Sequence, residues 1–410
     1  MPRFPKIFPL FLRILATTLL FQISAFAEIK KAGLSDSDLR DLVTAELNQQ
    51  GIPGLTLAIY VDGEIRFNEG FGWADLEHRV PAAANTSYRT ASIAKPMTAT
   101  VLLRLVEQGK LDLDADIRKY YAGFPSKQWV VTSRQLLGHL GGIRHYKNRS
   151  EPQSARHFFD TASAIQVFAD DPLVHEPGTK FLYSSFGYNL LGAVAEAVAD
   201  RPFQQLLAQF VWEPAGMTAT VVDDTFAIIP HRARGYARYS SAQIAQFPAG
   251  NRYQTGKLYN APLHDTSMKI PAGGLLSTSG DLVQFAAALH GHVLLEEASL
   301  EQAWAAQVTA DGGKTNYGLG WKIHDDGSIS HSGGQAGTST LLIHHPQHRI
   351  AVAAMCNLQR ARLAPLCQTI TKRLTATDST TELVSRLTEA VQWEVKQKDL
   401  PAFSIALVDN

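Results

Sequence analysis

A serine and a lysine three positions apart, Ser92 and Lys95, are the residues in this 410-residue chain with the plainest use in chemistry. A serine hydroxyl is a weak nucleophile until a neighbouring base removes its proton. A lysine serves as that base only when its pKa falls from about 10.4 towards neutrality. Burial and the positive end of a helix both push it down. The stretch Thr90-Ala91-Ser92-Ile93-Ala94-Lys95-Pro96-Met97 runs into a helical pattern. On a helix, residues i and i+3 share a face, with Cβ atoms about 5–6 Å apart. The same spacing also suits a serine that only caps its helix. The pair gains meaning from two later stretches.

One of them, Tyr183-Ser184-Ser185, stands immediately before a helical pattern, and the other, His331-Ser332-Gly333-Gly334, lies in β-like sequence. In this order the three stretches resemble the motifs of the serine β-lactamase and penicillin-binding protein family. The tyrosine stretch resembles Y-x-N, the form found in class C β-lactamases and their esterase and peptidase relatives, with Ser185 where the asparagine stands. The histidine stretch resembles the H-x-G variant of those relatives, with His331 where true β-lactamases have lysine. Leu136-Leu137-Gly138-His139-Leu140-Gly141-Gly142-Ile143 and Gly273-Gly274-Leu275-Leu276-Ser277-Thr278 carry the same resemblance. It covers about Leu39 to Leu374. It comes nearest to the mitochondrial β-lactamase-like serine protease branch and its bacterial homologues, through Gly142-Ile143-Arg144-His145-Tyr146 and the run from Phe181 to Tyr188.

The resemblance implies roles. Ser92 would attack an acyl carbon, Lys95 would take its proton, and Tyr183, poised by nearby cations, would shuttle a proton to the leaving group and later activate water. Ser185 would hold Lys95 and a substrate amide. The backbone N–H groups of Ser92 and Gly334 would form an oxyanion hole, and Gly333-Gly334 suits close backbone approach to substrate. Histidine is mostly neutral at pH 7, so His331 weakens a β-lactamase reading. The expected activity is a serine hydrolase acting on an ester or peptide. A class C-like β-lactamase or D-alanyl-D-alanine carboxypeptidase is the nearest alternative. A non-catalytic binding or assembly protein that keeps the fold is the other.

The elements that must position these residues follow from the patterning. Helices are expected over Leu39–Gln50, Pro96–Leu111, Ser133–Leu140 and Leu363–Leu374. A hairpin is expected around Asp62-Gly63. Helices and loops persist to about Gly274, and Thr278 reads as an N-cap. Strands return after Tyr317. The expected fold class is α+β, a β-lactamase/DD-peptidase-like fold. An antiparallel sheet lobe is built from both termini (about 36–90 and 315–374), and an all-α lobe is inserted between (about 91–314). Residues 28–374 would form this domain.

Composition bounds the rest. Thirty-eight basic and thirty-eight acidic residues leave no net charge. A neutral chain gives no electrostatic footprint for nucleic acid or an anionic membrane surface. The expected partner is a small-molecule or peptide substrate, and oligomeric state is not legible. Arg3, Lys6 and Arg13 precede an apolar run, Ile14–Phe26, that ends Ala25-Phe26-Ala27. This reads as a signal peptide cleaved after Ala27, too short to span a membrane comfortably, and implies a periplasmic or secreted protein. Cys356 and Cys367 suit no zinc motif, and their pairing stays open. His344, His345 and His348 fall in a hairpin turn with no acidic partner, so no metal or other cofactor is expected. Residues 375–410 read as a linker and the truncated start of a second copy. Leu400-Pro401-Ala402-Phe403-Ser404-Ile405-Ala406-Leu407-Val408-Asp409 there repeats the style of Ile52-Pro53-Gly54-Leu55-Thr56-Leu57-Ala58-Ile59-Tyr60-Val61-Asp62.

Overall fold

The computed structural model describes residues 34–148, 151–152, 154–247 and 252–376. The expected signal peptide, and the tail beyond residue 376, lie outside the described residues. Residues Arg40–Thr371 form one compact unit, and the described residues 34–39 and 372–376 belong to another. In that other unit Ser35 donates its backbone N–H to Asp38 Oδ2 at 2.7 Å. This is the local carboxylate capping that starts a helix.

The main unit is built on a seven-stranded antiparallel sheet. Its strands are β1 (Gly54–Val61), β2 (Glu64–Asp75), β3 (Val80–Pro81), β4 (Lys322–Ile323), β5 (Ile329–Gln335), β6 (Thr338–His345) and β7 (Ile350–Cys356). Their order is β3-β2-β1-β7-β6-β5-β4. Strands from both ends of the fold therefore meet at β1 and β7, from Leu55 opposite Cys356 to Val61 opposite Ile350. Asp62 and Gly63 have φ of 42° and 107°, the paired positive values that a two-residue hairpin turn requires. Every residue of β1, β6 and β7 is buried, and β1 and β7 accordingly read as continuous rather than alternating apolar runs.

Five longer helices frame the chain: α1 (Asp36–Gln50), α2 (Ala94–Glu107), α3 (Ser185–Ala199), α4 (Ser279–His290) and α5 (Ala364–Thr375). Helix α4 packs on β1 and β7. It starts where the sequence implies, with the Thr278 side chain accepting the Asp281 N–H at 3.1 Å. Helix α2 packs against α3 and against the short helical turn Ile270–Gly273. Two expectations need correction. The helix expected over Ser133–Leu140 ends at Leu137, because Gly138 caps it and His139 turns left-handed at φ 60°. The helix-and-loop stretch up to Gly274 also contains two small sheets, Tyr88–Arg89 with Leu275–Ser277 and Val221–Val222, and Tyr236–Arg238 with Leu258–Asn260. Strands of two or three residues are too short to leave a period.

The approach of α3 to the Ile270–Gly273 turn depends on Gly192. A Cβ there would stand 2.3 Å from Pro271 Cγ. Alanine favours a helix over glycine by about 1 kcal/mol, yet Gly192→Ala is expected to destabilise the protein, since overpacking costs about 1–3 kcal/mol. The midpoint of urea unfolding measures it.

Candidate active site

Ser92 follows a strained residue. Ala91 has φ +46°, a left-handed conformation that costs a non-glycine residue about 1–3 kcal/mol. Its surroundings hold it there. Thr90 N–H donates to Leu275 O at 2.9 Å, and Thr340 Oγ1 donates to Thr90 O at 2.9 Å. Gly333 lets β5 come this close, because a Cβ on it would meet Thr90 O and Thr340 Oγ1, each at 2.3 Å. Its glycine thus makes room for the backbone beside the nucleophile. At Gly334, by contrast, an added Cβ would meet open space.

Ala91–Ile93 form a 3₁₀ turn that leads into α2, with no side-chain cap at the start of either. Ser92 is therefore not a helix cap. One turn on, Lys95 is fully buried. Its Nζ lies 3.1 Å from Ser92 Oγ, 3.3 Å from Ser185 Oγ and 2.8 Å from Ala272 O. The turn that presents Ala272 is fixed by side chains from both neighbouring helices. Thr98 Oγ1 donates to Pro271 O at 2.6 Å, and Asn189 Nδ2 donates to Met268 O at 2.8 Å. Burial holds the Lys95 amine well below the ordinary lysine range, and the positive charge of Lys269 adds to this.

Tyr183 arrives from the segment before α3. Ser184 caps that helix, accepting from Gly187 N–H at 3.0 Å, while its N–H donates to His139 Nδ1 and the Ser185 N–H donates to His145 Nδ1, both at 3.2 Å. The His139 ring lies 4.2 Å from the Tyr183 ring, centroid to centroid. Tyr183 shares a side-chain hydrogen bond with Ser92, and burial raises its phenol well above its ordinary value. Lys95 Nζ is 4.9 Å from the ring centroid, but burial favours the neutral amine there. Burial, not a nearby cation, therefore sets the protonation of Tyr183 and keeps it a phenol.

His331 is also brought here, buried and 6.4 Å from the Tyr183 ring. Both its ring nitrogens have protein partners, the Tyr317 hydroxyl at 2.9 Å and Ser332 O at 2.8 Å. Only an Nδ1–H can satisfy the carbonyl, so Nε2 accepts from Tyr317. Ser92, Tyr183, Tyr317, Lys322, His331 and Gly334 all line one cavity of about 580 Å³.

Residues 39–368 match the family described as Beta-lactamase. The chain belongs to that family. The human protein named serine beta-lactamase-like protein LACTB, mitochondrial, is 27% identical over 434 aligned residues, covering 79% of this chain and 77% of its own length. Among solved structures, the octameric penicillin-binding protein homologue from Pyrococcus abyssi superposes with a TM-score of 0.70 at 22% identity, over 83% of this chain and 77% of that one. A D-stereospecific amidohydrolase from Streptomyces sp. gives 0.67 at 22% identity, over 84% and 100%. These structures show the β-lactamase/DD-peptidase-like fold.

Several side chains of this beta-lactamase-family site carry no mark in the sequence. Tyr317 occupies Nε2 of His331, whose tautomer the Ser332 carbonyl fixes. His139 and His145 read as structural, yet they orient the Tyr183–Ser185 backbone. Lys269 is buried, donates to Pro152 O at 3.1 Å, and is pushed down to about 7, first by burial and then by Arg89. Among the described residues no three of His, Cys, Asp and Glu cluster as metal ligands. Cys356 and Cys367 are buried free thiols, both raised to about 12 by burial. No described helix is long and apolar enough to cross a membrane.

Buried histidines make stability pH-dependent. Burial pushes His331 and His344 down to about 3, whereas an unfolded histidine titrates near about 6.5. On acidification below that value the unfolded state takes up protons and the native state does not. Stability is thus complete above about pH 6.5 and falls as pH drops towards 3. Each of the two is expected to cost about 2 kcal/mol at pH 5. Thermal unfolding at pH 7, 6 and 5 checks it, and a midpoint that rises on acidification would contradict it.

Proposed function

We propose that the protein is a serine hydrolase that forms an acyl-enzyme on Ser92 with an ester or peptide substrate. The observation that carries this reading is Lys95. It is a fully buried amine, 3.1 Å from Ser92 Oγ, and no carboxylate is among its hydrogen-bond partners. A structural lysine has no use for such a place, because burying an ammonium is costly. A neutral amine beside a hydroxyl is a general base.

In acylation Ser92 Oγ bonds to the acyl carbon and its proton passes to Lys95 Nζ. As the tetrahedral species collapses, the bond to the leaving group breaks. The leaving atom takes the Tyr183 Oη proton, and Lys95 returns one to Tyr183. Both groups end neutral. Deacylation runs the same relay with water in the place of the leaving group. Ser185 Oγ steadies Lys95, and the N–H groups of Ser92 and Gly334 receive the oxyanion, a contribution of about 3–4 kcal/mol per donor. His331 supplies no fixed cation, which favours an ester or peptide over a β-lactam. The export reading of residues 1–27 belongs to the same proposal, and a mature N-terminus at Glu28 would support it.

Intact-mass spectrometry of the mature protein, treated separately with a fluorophosphonate and a penicillin, tests the reading. One fluorophosphonate adduct, absent from Ser92→Ala, is expected, with slow or no penicillin adduct. No adduct in folded protein would overturn the catalytic reading, and rapid penicillin acylation with turnover would favour a β-lactamase.

A further inference from the structure

Helix α3 brings Ser185 to Lys95 at its start, and one face of it further along serves no part of that chemistry. Asn189, Ala193, Glu196 and Ala197 stand at positions i, i+4, i+7 and i+8, which share a face of a helix. All four line a cavity of about 530 Å³, a volume typical of small-molecule sites. Tyr121, Phe158 and Phe203 line it too, as do Met268, Ile270 and Pro271, which lead to the Ala272 carbonyl that accepts from Lys95. It shares no lining residue with the cavity at Ser92.

Asn189 is 1% exposed. Its Nδ2 donates to Met268 O, which fixes the orientation of the amide and leaves Oδ1 buried with no donor. A buried acceptor without a partner is costly. Other buried polar atoms lack partners as well, and what singles out Asn189 is the company in its cavity.

Glu196 lies two turns further along α3, about 10 Å away along the helix axis. It is half-buried, and it accepts from the Phe203 N–H at 2.8 Å and from the Thr161 side chain, both neutral donors. Burial raises its carboxyl above the ordinary range, and the charge of Asp160 adds to this. Tyr121 feels the charges of both carboxylates, so all three stand close together. A cation placed there favours the ionised carboxylate that burial disfavours, and aromatic neighbours attract it further. The one cation in the lining, Arg201, is exposed and donates to Gln209 Oε1 at 2.6 Å. The Ser92 cavity, by contrast, has no aspartate or glutamate in its lining.

We propose that this cavity is a second binding site, for an elongated organic cation with an aromatic body. Its ammonium pairs with Glu196, and an N–H at its other end donates to Asn189 Oδ1. The inference stands apart from the acyl-transfer reading, because no lining residue belongs to the proton relay.

Calorimetric titration of the purified protein tests it with three probes. Tryptamine carries an ammonium at one end and an indole N–H at the other. Tryptophol replaces the ammonium by a hydroxyl, and 1-methyltryptamine removes the indole N–H. Tryptamine is expected to bind saturably and to exceed each of the other two in affinity by on the order of tenfold. High salt should shrink its advantage over tryptophol. Glu196→Gln keeps an acceptor for Phe203 and Thr161 and should bring tryptamine and tryptophol level. Ala197 is exposed on α3, so Ala197→Phe should leave the unfolding midpoint near wild type while its ring blocks the cavity and abolishes binding. The inference is overturned if tryptamine shows no saturable binding, if either analogue matches it, or if its binding survives both substitutions unchanged.

Discussion

Replacing Lys95 by methionine is expected to slow acylation of Ser92 by about 10²–10⁴-fold, the range that general-base catalysis contributes, while the protein stays folded. Methionine is close in length and apolar, and it fills the space of a side chain that is already fully buried. Removing an amine from a dry site relieves a desolvation penalty, so the cost to packing is small. Arginine is not expected to rescue the rate. A guanidinium stays protonated and cannot accept the Ser92 proton. The rate with wild-type protein should rise with pH as Lys95 loses its proton, and that limb should lie below the ordinary lysine value of about 10.4, because burial disfavours the ammonium. The Lys269 charge pushes the same way, so its removal should move the limb upward. Stopped-flow labelling with a fluorophosphonate across pH measures both effects. A Lys95→Met protein that reacts within a few-fold of wild type would put the base elsewhere.

The sequence foretells the main fold and the meeting of Ser92, Lys95 and Tyr183. Ser92, Lys95 and Tyr183 are legible because their types are rare together and their order along the chain is distinctive. The central strands and long helices are legible because burial imposes period or continuity on many residues at once. What escapes has local causes. Ala91 is strained only because Thr90, Gly333 and Thr340 come together from distant parts of the chain, which no window of sequence shows. His139 reads as structural because its contribution is a single hydrogen bond and a ring face against Tyr183. The neutrality of His331 follows from its residue type, but the hydrogen bond from Tyr317 that occupies its ring is a tertiary fact. That Gly333 makes room for the Thr90 backbone is likewise a tertiary fact.

Asp223→Ala is expected to be the most destabilising single change outside the apolar core, by about 3–5 kcal/mol. The Asp223 carboxylate is fully buried, and it lies 2.7 Å from Arg89 Nε and 3.4 Å from Arg232. Thr266 Oγ1 donates to its Oδ2 at 3.1 Å. It also attracts the buried Lys269. Removing it leaves three cations close together with no counter-charge, and the loss comes from that uncompensated charge more than from the pair itself. The consequence reaches the nucleophile. Arg89 belongs to the short strand that pairs with Leu275–Ser277, and it stands two residues before the strained Ala91. Loss of activity should therefore track loss of folded protein. Asp223→Asn keeps the shape and one acceptor, so it should fall between wild type and alanine. Urea unfolding of the three proteins orders them. If Asp223→Ala unfolds at the wild-type midpoint, the cluster is not what anchors the segment that carries Ser92.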